Sequence, residues 1–126
     1  MIWLFISLIV IAAISNAVMD VLQFKFSNSI FSKFKNQNWW NPKLSWANKW
    51  KNGDPLQGEN FWGSSRWFVR FTDAWYFFQG LMFTSLFFSI IYYTTIFSKF
   101  VDFIGIYLIF TIIFEIFYSK IFCFKQ

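Results

Sequence analysis

The chain has 126 residues, enough for one domain, yet 57% are hydrophobic, 27% aromatic and only 13% charged. Soluble domains carry roughly 25% charged residues, and a chain this short buries only about two-thirds of its surface, so a water-soluble fold is excluded and lipid must cover the excess. The net charge of +5 is scattered among Trp, Phe and Asn and forms no clean basic stripe, which favours attraction to anionic lipid over nucleic-acid binding.

The first element spans about residues 2–20. MIWLFISLIVIAAISNAVM reaches Asp20 without a charge, a length that suits one crossing of about 20 apolar residues. A cleaved signal peptide competes for this stretch, but it would open on a basic region and have a shorter apolar core. No Lys or Arg precedes Lys25, so a retained anchor is expected.

Residues 24–65 follow as a cytoplasmic segment lying on the bilayer. Seven of the eight tryptophans, Trp39, Trp40, Trp46, Trp50, Trp62, Trp67 and Trp75, fall between residues 39 and 75. An indole is wet at one edge and apolar elsewhere, so all seven are expected as anchors at the membrane–water boundary. NPKLSWANKWKNGDP, residues 41–55, reads as an interfacial helix opened by Pro42 and closed by the turn at 52–55. In that reading Trp46 and Trp50 share a face. The aromatic surface either grips lipid or a partner, or merely covers the cap's own apolar groups; stacking of single-stranded nucleic acid explains the rings less simply.

The second span is expected over 74–97 and the third over 103–122, joined by a short turn at SKFVD, residues 98–102. A helix starting at Arg66 and capped by Ser64 or Ser65 would hold 32 residues to Phe97 and extend about 48 Å, against a hydrocarbon core of about 30 Å. Its first turns would then stand in the headgroup layer, with Arg66 and Arg70 on phosphates and Asp73 paired to one of them. Ten of the eleven basic residues flank the cytoplasmic side of this arrangement and only Lys99 lies in the turn. The N-terminus is therefore expected outside and the C-terminus inside.

Polar groups in the spans are the candidates for chemistry. Asn16 and Asp20 share a face of the first span, Asp73, Tyr76, Gln79 and Gly80 continue the Arg66–Arg70 stripe, and Glu115 follows Tyr107 and Thr111 on the third. With all three acids toward the cytoplasmic side, Asn16, Asp20, Arg66, Arg70, Asp73, Tyr76, Gln79 and Glu115 form a candidate ligand or polar cluster. The plainer reading is hydrogen-bonding glue between helices, at about 0.6 kcal/mol per contact. No catalytic residue is assigned: there is no His to act as base, no G-x-S-x-G elbow and no phosphate loop. No metal and no cofactor are expected either, since one cysteine and no histidine leave out the soft ligands of zinc or haem. Cys123 cannot pair internally; acylation beside a membrane helix competes with a role as a small apolar residue.

NAVMD (16–20), SIF (29–31), WWNP (39–42), SWANKWKNGDP (45–55) and TDAW (72–75) together resemble a set of uncharacterised small integral membrane proteins of bacterial and phage genomes. Such proteins often carry a histidine after DAW, where this chain has Tyr76. The resemblance implies the architecture and brings no activity.

The sequence thus predicts an all-α integral membrane protein with three transmembrane helices and a Trp-rich interfacial cytoplasmic segment, in a bacterial inner membrane. The expected function is a non-enzymatic accessory or scaffolding role. Its expected partners are membrane lipids and another membrane protein or further copies of the chain. The alternatives are a binding or transport element, or an interfacial lipid-headgroup enzyme, built on the polar cluster.

Overall fold

The computed structural model describes residues 1–125 and is all-helical, with no strand among them. Three helices are long and apolar enough to cross a membrane. The first, α1 (Ile2–Phe24), is about 35 Å long at 1.5 Å per residue. With few polar side chains to compete, its backbone groups satisfy one another. Its serines stay within the helix: the Ser7 and Ser15 hydroxyls donate to the Trp3 and Ile11 carbonyls at 2.7 and 2.8 Å. Asp20 does not end the element, as expected from its charge; the helix continues one turn to Phe24. A carboxylate near a helix C-terminus opposes the dipole but leaves the backbone bonds intact.

Residues 25–73 form a cap at the C-terminal end of α1, built from short turns. Two 3₁₀ turns (Phe26–Asn28, Ile30–Lys33) lead into the one-turn helices α2 (Gln37–Trp40) and α3 (Pro42–Ser45). Pro42 opens α3 as predicted, with the Asn41 side chain accepting from the Lys43 N–H at 3.0 Å. The interfacial helix does not extend through Trp50. After a 3₁₀ turn at Trp46–Lys49, Trp50 is extended and pairs with Glu59, through Lys51 N–H to Gly58 O and Asn60 N–H to Lys49 O, both 3.0 Å. Asn52 and Gly53, at φ 53° and 73°, turn the chain between these arms. Trp50 has left the helical conformation, at φ −111° and ψ 145°, so Trp46 and Trp50 share no helical face.

The second long helix is α4 (Ala74–Tyr92), not a rod from Arg66 to Phe97. Asp73 starts it, because its side chain takes the Tyr76 N–H at 2.8 Å while its own backbone is extended. Ser64 and Ser65 belong to an upstream turn and cap nothing here. The helix also stops five residues early. Asp102 accepts from the Ile96 N–H, the Phe97 N–H and the Tyr93 hydroxyl at 2.9, 3.2 and 2.9 Å, holding Tyr93–Ser98 as a loop. The turn expected at 98–102 is therefore the first turn of α5 (Lys99–Glu115), capped by Ser98. The third apolar helix widens into a π-helical turn over Ile116–Ile121, with Phe122 N–H bonded to Phe117 O at 2.9 Å.

α1 is the central element, packed along α4 and, less extensively, α5. Phe5 lies 5.5 Å from Tyr93 at one end, while Ala17 and Val18 meet Ala74 at the other, so α1 and α4 are antiparallel. Small buried residues, Ala12, Ala13 and Ala17 on α1 and Ala74, Ser85 and Ser89 on α4, let the helices approach closely. The core sits where α1 meets the cap: Val21 and Leu22 are buried with Phe31, Phe122 and Cys123. The C-terminal tail closes it, with Ile30 N–H to Phe122 O and Phe124 N–H to Asn28 O, both 2.9 Å, flanking the Ser29–Cys123 bridge.

Candidate functional site

The turn before α4 determines where the two arginines go. Gly63, at φ 76°, accepts from the Arg66 and Phe68 N–H groups at 3.1 and 2.8 Å. The Glu59 carboxylate clasps the same turn, taking the Gly63 N–H at 3.0 Å, the Ser65 N–H at 3.3 Å and the Ser65 hydroxyl. These donors, led by the Ser65 hydroxyl and the Gly63 N–H, hold Glu59 below the usual glutamate pKa. A 3₁₀ turn follows at Val69–Phe71, tied by the Thr72 hydroxyl to Val69 O at 2.7 Å.

This path lays Arg66 and Arg70 beside the first turns of α4. Together with Tyr76, Gln79, Phe83 and Phe87 they line a groove of about 200 Å³. Gly80 is its floor: a Cβ there would stand 3.4–3.5 Å from Nε and the side-chain carbons of Arg70, so the arginine lies along the helix surface. Four of the eight predicted cluster residues, Arg66, Arg70, Tyr76 and Gln79, thus come together, and no carboxylate joins the lining.

The acids go elsewhere. Asp73 is only 4% exposed and is occupied in capping α4. Burial raises its pKa, against the Tyr76 N–H, the Lys49 charge and the Trp75 N–H, which lower it. Among the described residues it forms no ion pair with Arg66 or Arg70. Asn16 and Asp20 are half-buried on α1, with no side-chain hydrogen bond among the described residues. Glu115 is exposed and accepts the Ser119 hydroxyl within its own helix. All three acids lie toward the cap end, but in separate contacts; they do not form one pocket. No group of three His, Cys, Asp or Glu side chains meets among the described residues.

The seven tryptophans divide. Trp39, Trp40 and Trp75 pack against the core; Trp40 stacks on Phe31 at 5.0 Å and Trp39 meets Phe77 at 5.7 Å. Trp50 is half-buried. Trp46, Trp62 and Trp67 are the exposed ones, at 47%, 77% and 74%. Trp39, Trp40, Trp50 and Trp75 are partly covered by the cap's own packing, while Trp46, Trp62 and Trp67 present most indole surface outward.

Two structural residues carried no signal in the reading of the cluster. Asn48 donates its amide to Asn38 O at 2.6 Å and Thr72 O at 2.8 Å, tying α2 to the start of α4 from partners 10 and 24 residues away, and distances of that kind leave no periodic trace. Asp102 stands four residues after the Ser98 cap, one beyond the capping-box position, and its bonds go upstream to Tyr93, Ile96 and Phe97.

The fold and the groove define a small helical protein of membrane-spanning dimensions with a folded cap at one end. No protein-family model matches the chain, and no curated protein or solved structure matches it.

Proposed function

We propose that this protein is a non-enzymatic accessory or scaffolding subunit of a bacterial inner membrane, holding lipid with its cap and presenting α5 to another membrane protein or a second copy. The observation that carries the reading is the outer face of α5. Phe103, Tyr107, Leu108 and Ile112 are each more than half exposed on a helix long enough to span. Leaving such side chains in water costs about 1.5–3 kcal/mol apiece, so lipid or protein covers them. The basic residues support the orientation: ten of eleven lie at the cap end, with Lys99 alone at the other, which directs the cap and C-terminus to the cytoplasm and Met1 outward. The exposed Trp46, Trp62 and Trp67 then stand at the cytoplasmic boundary.

A mild-detergent pull-down with protein and lipid identification by mass spectrometry tests this reading. It predicts a co-purifying membrane protein or a stable oligomer. A monomer that recovers neither would refute the scaffold role, and a tag in residues 24–65 that is reached from outside intact cells would refute the orientation. The convergence of Arg66, Arg70, Tyr76 and Gln79 favours a second reading, a binding element. An acid–base enzyme gains less support, because no carboxylate lines that groove.

A further inference from the structure

We infer that the Arg66–Arg70 groove binds one anionic phospholipid, its phosphate between the two guanidinium groups and one acyl chain along α4 past Phe83 and Phe87. The inference deepens the lipid-holding reading above and rests on it, since a chain can occupy the groove only if α4 lies in a bilayer.

The lining changes character along the helix. Arg66, Arg70, Tyr76 and Gln79 gather at the cap end, and Phe83 and Phe87 follow one and two turns further along the same face of α4. The two phenyl rings stack at 6.3 Å with planes 22° apart, giving a flat apolar wall. From Tyr76 to Phe87 the helix rises about 16 Å, close to half of a hydrocarbon core about 30 Å thick and thus to one leaflet. A polar head and a leaflet-length apolar track are the two halves of a phospholipid.

Charge selects the head. Two guanidinium groups present forked N–H donors that match phosphate oxygens, and neither makes an ion pair among the described residues. Glu59 is the carboxylate whose field Arg66 feels, and its oxygens already accept from Gly63 and Ser65. Gly80 lets Arg70 lie flat, so its charge reaches the groove. The volume, about 200 Å³, is below the roughly 300–1,000 Å³ of enclosed ligand sites. It suits a phosphodiester and the start of one chain whose remainder stays among bulk lipid. Free phosphate shares the headgroup chemistry, and the aromatic wall decides for the lipid.

The test is native mass spectrometry of the full-length protein from micelles containing equal phosphatidylglycerol and phosphatidylcholine. Wild type is expected to retain one phosphatidylglycerol in preference to phosphatidylcholine. Arg66→Gln and Arg70→Gln should each weaken retention about fivefold, the effect of one basic side chain at an anionic surface. Lys43→Gln with Lys51→Gln removes twice the charge of either arginine variant, from exposed cap lysines, and should leave retention unchanged. Gly80→Leu keeps every charge but displaces Arg70, and should also lose the lipid, with tryptophan fluorescence confirming an intact cap.

Equal loss in the lysine variant would show diffuse attraction and overturn the site, as would full retention by Gly80→Leu. Release of the lipid by inorganic phosphate at concentrations where chloride has no effect would assign the site to free phosphate. Equal retention of phosphatidylglycerol and phosphatidylcholine from the micelles would sink this inference alone. Recovery of the protein from them with neither lipid bound would sink it together with the lipid-holding reading.

Discussion

Asp73 combines a helix cap with a buried charge, and two substitutions separate them. Its Oδ1 accepts the Tyr76 N–H at 2.8 Å, and the residue is 4% exposed. Asp73→Ala removes the acceptor and should cost about 1 kcal/mol, within the 0.5–2 kcal/mol range of lost caps, or about fivefold in the folding equilibrium. Asp73→Asn keeps an acceptor in the same place and removes the charge. Burial raises the Asp73 pKa above the ordinary 3.8, so the native state binds the proton more tightly than the unfolded chain does. Stability from this group therefore falls as pH rises through the window from 3.8 to the folded value, and the full penalty is present at neutral pH. Asp73→Asn should then equal or exceed wild type at pH 7, with the difference shrinking on acidification through that window. Unfolding in mixed micelles, followed by tryptophan fluorescence, measures all three proteins, with the core rings of Trp39, Trp40 and Trp75 as reporters. If Asp73→Asn proved as damaging as Asp73→Ala at pH 7, charge rather than capping would be the operative feature, and the argument for where α4 begins would fail.

Three further outcomes are expected. Asn48→Ala should loosen the cap by roughly 1–3 kcal/mol, since it removes two hydrogen bonds at about 1 kcal/mol each, and hydrogen exchange should rise at Trp39 and in the first turn of α4; unchanged exchange there would contradict the clamp. Glu59 has a depressed pKa, so its contribution is fully present above the ordinary glutamate value of 4.5 and is lost as pH falls through its lower folded value. Glu59→Gln should flatten that acid limb of cap stability, and a profile identical to wild type would exclude the role. The buried Cys123 thiol should resist an exposed-thiol reagent until the tail detaches from Ser29, so stoichiometric labelling of the native protein would refute the docked tail.

Much of the fold was legible because a bilayer-length helix is a local property: about 20 apolar residues satisfy their own backbone groups, whatever surrounds them. The Pro42 helix start, the turn at 52–55 and the face shared by Tyr76, Gln79 and Gly80 are equally local, written in backbone preferences and helical period. The site was half legible. Arg66 and Arg70 do join that face, but through a turn at Gly63 and not along a continuous helix.

The sequence by itself determined three apolar helices, their alternation of direction, and a cationic, tryptophan-rich cap at one end. Tertiary structure alone decided which tryptophans pack on the core, where α4 starts and stops, and that Glu115 stands apart from the arginines. The reason is that these outcomes turn on hydrogen bonds and ring contacts between distant segments. Asn48 reaching Thr72 or Trp39 meeting Phe77 exists only once the chain has come back on itself, and no local pattern encodes the return.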